Sequence, residues 1–361
     1  MSSLPLFSPL KLGRITLKNR AVMAPMTRSR ATADHVPTPL MAEYYGQRAG
    51  AGLIVTEGIG PSPNGTGYAR IPGLWSAEQV EAWKPVTAAV HARGGAIFAQ
   101  LMHTGRESHP ANLVAGAEVV APSAVASPGE IQSDQLGKQP KPVPRALTLE
   151  ELPATRAEFV TAAKNAIAAG FDGVELHGAN GYLLEQFLNP ISNTRTDAYG
   201  GTPENRNRFV IEVAKAVVEA IGGDRVGIRI SPYGANGGMK PFPEIDAQYQ
   251  KLAEGLADAG VEYLHLVDHS AMGGQAVPAP LKEWLSKHWP RTFIASGGFD
   301  GPKANQVLAD DRADLVAFGR PFLSNPDLVI RLEKNLPLAP PDPKTFFTPG
   351  PKGYTDYPAA T

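Results

Sequence analysis

The chain has 361 residues, with 34 Lys and Arg against 35 Asp and Glu, a formal charge of −1 that excludes a basic nucleic-acid footprint or a polybasic membrane surface as its main purpose. Apolar residues make up 43% and charged residues 19%, and the 37 glycines and 34 prolines are spread along the chain, as in a globular rather than a disordered or collagenous protein. The absence of cysteine excludes a disulfide scaffold, a thiolate zinc site, an iron–sulfur cluster and a cysteine nucleophile.

The opening MSSLPLFSPLKLGRITLKNR lacks a positively charged start ahead of an apolar run. No later stretch reaches the roughly 18 consecutive apolar residues of a membrane span, so the reading is a cytoplasmic protein with no membrane partner. Eight short apolar, β-branched runs follow at 20–26, 52–58, 96–103, 173–178, 226–232, 263–269, 292–298 and 315–320. They are continuously apolar, as in VGIRI, TFIASGG and DLVAFGR, which predicts parallel strands covered on both faces. The stretches between them have helical spacing and helical punctuation. Ser76 with Gln79 and Thr148 with Glu151 have capping-box spacing, Thr202-Pro203 puts proline in a first turn, and Gly94 and Gly170 act as stops.

About eight βα units with no sign of a second domain predict an α/β fold, a single (β/α)8 TIM barrel over 1–361. Two segments break the rhythm. Residues 104–147 hold Pro110, Pro122, Pro128, Pro140, Pro142 and Pro144 and no helical apolar stripe, so a structureless lid excursion is expected after the third strand, on the C-terminal face. The tail, 337–361, is rich in proline and aromatics and is expected to fold back over the same face.

Barrel active sites lie at the C-terminal ends of the strands. The polar residues there are Thr27 and Arg28 after Pro25-Met26, Gln100 with His103, the run from His177 to Tyr182, and the late glycines Gly297, Gly298 and Gly319 with Arg320. Glycines after the seventh and eighth strands let backbone N–H groups converge on a phosphate, and Arg320 adds a bidentate cation; the same glycines also suit plain tight turns. His177 and Asn180 stand three apart, a spacing that a helical turn places on one side, where two neutral donors can stabilise negative charge on a substrate oxygen. A capping asparagine and a buried histidine fit the same spacing. Tyr182, with an ordinary phenol pKa near 10, stays protonated at neutrality and can act as a general acid. His265 and His269 in HLVDH lack the glutamate of a zinc-protease helix and sit in a strand, so core packing and a strand-end hydrogen bond are expected, with no metal. Trp75, Trp83 and Tyr44-Tyr45 are read as packing.

Together LFSPLKLGRITLKNRAVMAPMTRSRA, GLIVTEG, GYARIPGLWS, AQLMHTGR, HGANGYLLEQFLNPISNTRTDAYGG, RFVIEV, VGIRISP, LVAFGRPFLSNPDLV and GYTDYP resemble the Old Yellow Enzyme family of FMN-dependent ene-reductases, from Leu6 to Pro358. The resemblance implies FMN across the barrel mouth, with Ala24, Pro25, Met26 and Thr27 beside the ring and Thr27 tuning it by a hydrogen bond. It implies further contacts from Gly58, Gln100, His177 and Arg229, and phosphate held by Gly297, Gly298, Gly319 and Arg320. His177 and Asn180 would hold the oxygen of an activated alkene (enone, enal, maleimide or nitroalkene), hydride would reach its β-carbon, and Tyr182 would protonate the α-carbon. NADPH, or NADH, would reduce the flavin at the same site, and nitrate-ester or nitro reduction belongs to the same repertoire.

Tyr68 resembles the family's aromatic at the cavity rim. Met102 stands where many members have tryptophan, and Phe347 replaces a tail tyrosine. Thr27 stands where a second branch of the family has cysteine. The expected partners are small molecules, with no nucleic acid, in a monomer or homodimer. Rival readings are a phosphate-binding barrel hydrolase or aldolase without flavin and a flavin-binding protein without turnover. A dienoyl-CoA reductase is excluded by the missing cysteines.

Overall fold

Each of the eight apolar runs forms a strand, and the strands pair in chain order, all parallel, until the last closes on the first through Val316 and Ala21. This is a (β/α)8 barrel in the computed structural model, which describes residues 4–360. The strands are Ala21–Met23, Leu53–Ile59, Ile97–Leu101, Gly173–Gly178, Val226–Ile230, Tyr263–Val267, Thr292–Ser296 and Leu315–Phe318. Nearly every residue in them is buried, as a sheet wrapped by helices and filled by its own side chains requires.

The helix Ala77–His91 begins as its sequence dictates: Gln79 N–H donates to Ser76 Oγ, and the Gln79 amide oxygen accepts from the Ser76 backbone. At Thr148 only half of the expected box forms. Thr148 N–H donates to Glu151 at 2.7 Å, but the helix runs Leu152–Ala168, because Pro153, with its preset φ and missing N–H, belongs in the first turn. Pro203–Ile221 starts behind Thr202 as expected.

A short antiparallel hairpin, Leu10–Leu12 with Ile15–Leu17, plugs the N-terminal end of the barrel. Its Leu12 and Leu17 join Val22, Leu53, Val55, Phe98, Ile294 and Leu315 in one cluster that is apolar but for the Tyr263 hydroxyl. At about 1.5–3 kcal/mol for each such side chain fully buried, this floor contributes stability and no chemistry.

The excursion 104–147 is not structureless. Val120–Ala121 pairs in parallel with Arg145–Ala146, and Glu130–Ser133 forms an antiparallel hairpin with Gly137–Pro140, the turn closing at Gly137 with φ 70°. The alternation in EIQS, which buries Ile131 and Ser133, is too short to stand out among the prolines, and Pro140 sits at the end of its strand, where it costs no interior ladder bond.

The tail returns to the loop after the first strand and is held there by cations. Arg28 donates to the carbonyls of Gly353 and Phe346, Arg30 to those of Thr345, Phe346 and Lys352, and Tyr354 stacks on Tyr44 with ring centroids 4.0 Å apart. Buried Glu57 accepts the backbone N–H groups of Arg28 and Ser29 and so fixes the loop that carries both arginines. Among the described residues no helix is long and apolar enough to cross a membrane.

Candidate active site

Alternation along the fourth strand puts Glu175 and His177 on the same face, and the strand register decides what stands beside them. His177 pairs with Arg229, and Arg229 with His265; one layer lower, Glu175 pairs with Gln100 and with Gly227. Glu175 is fully buried and accepts three hydrogen bonds, from Gln100 Nε2 at 2.8 Å, His265 Nδ1 at 2.8 Å and Tyr263 Oη at 3.1 Å. A Cβ at Gly227 would overlap the Tyr263 ring, so only glycine lets that hydroxyl reach Glu175. Burial opposes ionisation of Glu175, yet His265 and Arg229 outweigh it and hold the carboxyl below its ordinary range. Burial lowers the His265 pKa below its ordinary value, against the pull of Glu175.

Arg229 is 7% exposed, and its Nε has no partner among the described residues. His177 is 3% exposed, and its Nδ1 is likewise without a partner. Burial, with the Arg229 charge next to it, drives the His177 pKa far below its usual value, so the ring is neutral at every physiological pH. A buried cation and a buried imidazole with unfilled hydrogen-bonding atoms mark a place built for a polar guest.

His177 and Asn180 do not share a helical turn. Asn180 takes φ 58° and Gly181 φ 82°, a left-handed pair that asparagine and glycine tolerate best. Other elements fix the turn instead. Asn180 N–H donates to Ser231 Oγ at 2.8 Å, and His269 Nε2 stands 2.9 Å from Asn180 Oδ1, with the Asn236 NH2 3.4 Å from the same ring nitrogen. Tyr182 then caps the helix Leu183–Leu188, and its ring meets His177 edge to face with centroids 4.8 Å apart. Loss of surrounding water pushes the Tyr182 phenol up to about 12, so it keeps its proton at neutrality.

Of these groups Tyr182 borders a cavity of about 360 Å³ whose walls also include Thr27, Tyr68, Ile131, Arg70 and Phe347. The loop after the first strand thus supplies Thr27, the excursion Ile131 and the tail Phe347, which is 59% exposed. Arg70 fastens three of these segments together: it pairs with Asp134 at the hairpin tip and donates to the carbonyls of Ser29 and Phe347. Met102 does not line this cavity; it is 1% exposed and lies against Gly58, where any Cβ would overlap its sulfur. Ala24 and Pro25 are buried and Met26 half-buried beneath Thr27. Because Gln100 commits its NH2 to Glu175, its amide oxygen is left as an acceptor.

At the late strand ends Gly297 has φ 149° and Gly298 φ 70°, and a Cβ at Gly297 would stand 2.8 Å from the Asp268 carbonyl. Gly319 follows the eighth strand, and Arg320 is exposed at the start of Arg320–Ser324. The donor-rich, side-chain-free backbone and the unfilled Arg229 fit an anionic, planar, phosphate-bearing group such as FMN. No cluster of three metal-ligating side chains occurs among the described residues.

Sequence reasoning passed over Glu175, Ser231 and Glu185, and for His269 it expected a strand-end hydrogen bond without naming Asn180 as the partner. Period-two alternation with His177 was enough to find Glu175; Ser231 and Glu185 come from different parts of the chain and carry no local signal.

The family model described as NADH:flavin oxidoreductase / NADH oxidase matches residues 5–339. The chain is 45% identical over 363 residues to a chanoclavine-I aldehyde reductase of Penicillium roqueforti, covering 98% of this chain and 95% of that protein. It is 42% identical over 359 residues to a probable flavin mononucleotide-dependent alkene reductase of Leishmania infantum, covering 98% and 97%. The solved structure of an old yellow enzyme homologue from Zymomonas mobilis superposes with a TM-score of 0.93 at 42% identity, covering 98% of this chain and 99% of that one.

Proposed function

The chain belongs to the NADH:flavin oxidoreductase / NADH oxidase family, among the Old Yellow Enzymes, and is an NAD(P)H-dependent FMN oxidoreductase; from that premise we propose that it reduces the carbon–carbon double bond of activated alkenes such as enones, enals, maleimides and nitroalkenes. Bound FMN supplies two-electron hydride chemistry, with NADPH or NADH as the source of reducing equivalents. The ring would rest against Ala24, Pro25, Met26 and Thr27, with Gly58, the Gln100 oxygen, His177 and the unfilled Arg229 guanidinium around it. Its phosphate would lie on Gly297, Gly298, Gly319 and Arg320.

The observation that carries the reading is the edge-to-face pair of His177 and Tyr182, one ring held neutral and the other held protonated, with Tyr182 on the cavity wall. A neutral His177 donates a hydrogen bond to a substrate oxygen without surrendering a proton to it. Asn180 has its oxygen occupied by His269, so its NH2 is left to donate to the same atom. As negative charge develops on that oxygen, both bonds strengthen, which makes the neighbouring β-carbon electrophilic. Tyr182 holds the proton that the α-carbon takes up.

Tyr68 and Phe347 wall the cavity and would shape how an alkene lies, while Met102 backs Gly58 from outside it. The excursion 104–147 would cover the site as a lid and the tail would close its other side, in one FMN-binding domain.

A visible absorption spectrum of the purified protein tests this, followed by anaerobic NADPH and then 2-cyclohexenone in one cuvette. The expected result is a flavin spectrum that bleaches with NADPH and returns with the enone. A flavin that bleaches and does not return overturns the alkene-reductase reading.

A further inference from the structure

We propose that Glu185 is a positioning residue, fixing the Asn180–Tyr182 turn so that the oxygen-binding amide and the proton-donating phenol address one substrate. The inference rests on the roles of Asn180 and Tyr182 proposed above.

Glu185 lies in the first turn of Leu183–Leu188 and is 3% exposed. One carboxylate oxygen accepts Gly181 N–H at 2.5 Å. The other accepts the Ser231 hydroxyl at 2.6 Å and the Tyr249 hydroxyl at 3.3 Å. Ser231 Oγ in turn accepts Asn180 N–H at 2.8 Å, so two consecutive amides of the left-handed turn are held, one directly and one through a hydroxyl. From the opposite side the turn is pressed by Asn236, whose carbonyl a Cβ at Gly181 would meet at 2.6 Å. The turn is thus clamped, and Glu185 is the lower jaw.

The chemistry of the clamp needs a carboxylate. Its two oxygens are acceptors only and can take all three donors at once, whereas a glutamine offers one oxygen and an NH2 that would face a donor. Among the described residues no cation pairs with Glu185, and burial pushes its carboxyl up to about 7. Burying an unpaired carboxylate is costly, and the groups it gathers are those of the reactive turn and the strand end beside it.

Glu185→Gln and Ser231→Ala decide the matter, each compared with the wild type for FMN content, phenol affinity and reoxidation of NADPH-reduced flavin by 2-cyclohexenone. Glu185→Gln is expected to keep its FMN, bind phenol about tenfold more weakly and lower kcat for the enone, since both the amide and the phenol lose their aim. Ser231→Ala breaks only the branch to Asn180 and should raise KM for the enone while keeping kcat within about twofold. Phenol affinity and reoxidation unchanged in Glu185→Gln, or losses that follow FMN content alone, overturn the proposal. Should Glu185→Gln fail to fold, wild-type phenol affinity in Ser231→Ala overturns it. A wild type that neither binds phenol nor is reoxidised by the enone sinks the functional reading itself.

Discussion

The two ends of the barrel are built from the same strands and do opposite things. At the N-terminal end Leu12, Leu17, Leu53, Val55, Ile294 and Leu315 pack without a polar atom among their side chains. A few residues further along, the strands carry Glu175, His177, Arg229 and His265, all buried, three of them with hydrogen-bonding atoms left unfilled. The apolar floor closes on itself and can afford a polar layer above it, whose groups are too expensive to bury unless something is to be bound there. Stability and chemistry are separated along the strand axis, and mutations should separate in the same way.

The largest effect is expected at the functional end. Tyr182→Phe should slow alkene reduction by roughly 10²–10⁴-fold while flavin reduction by NADPH stays intact, because only the second half-reaction takes up the proton. Single-turnover kinetics of each half-reaction check this, and equal loss in both would remove Tyr182 from its role. At the other end Leu53→Ala should cost about 2–5 kcal/mol through the cavity it leaves, read as a lower denaturation midpoint, with phenol affinity per folded molecule unchanged. A change in affinity there would mean that the two ends are coupled.

His177→Ala should weaken phenol and enone binding together by roughly ten- to a hundredfold, on the order of a hydrogen bond to a charged oxygen. Titrations monitored by flavin absorbance would show it, and retained phenol affinity would move the oxygen site elsewhere. A fourth outcome concerns pH. Burial raises Glu185 from 4.5 to about 7 and Glu57 to about 6, so the folded state binds protons that the unfolded chain releases. Each group therefore contributes most to stability below about pH 4.5, and that contribution is lost as pH rises through its folded pKa, for Glu185 on the order of 3 kcal/mol by pH 8. Denaturant midpoints across pH 5–8 should fall less steeply in Glu185→Gln than in the wild type, and parallel slopes would contradict the shift. The smallest effect belongs to the half-exposed Asp134, where Asp134→Asn should cost less than about 1 kcal/mol and leave the denaturation midpoint nearly in place.

The barrel was legible because its signals are local and repeated. A strand covered on both faces must be continuously apolar, and eight such runs separated by helices admit few topologies. The expectation that 104–147 is structureless failed for the complementary reason: its hairpin is two four-residue strands whose pairing rests on a turn, and four residues are too few for periodicity to register. His177 and Tyr182 could be read from a strand end and from motif resemblance, but the supposed helical turn joining His177 to Asn180 gave way to a left-handed one that spacing cannot reveal.

What the amino-acid order settled by itself was the eight strands, the exclusion of thiol chemistry and the stretch of chain that holds the reactive residues. Tertiary structure alone decided what those residues are. His177 is neutral because the fold buries it, with Arg229 beside it from the next strand, and Asn180 presents its NH2 because His269, from the end of the sixth, stands against its oxygen. Glu185 finds its partners because Ser231 and Tyr249, 46 and 64 positions away, close over it. Protonation state and amide orientation are set by desolvation and by neighbours in space, and neighbours in space are what a barrel brings together from every part of its chain.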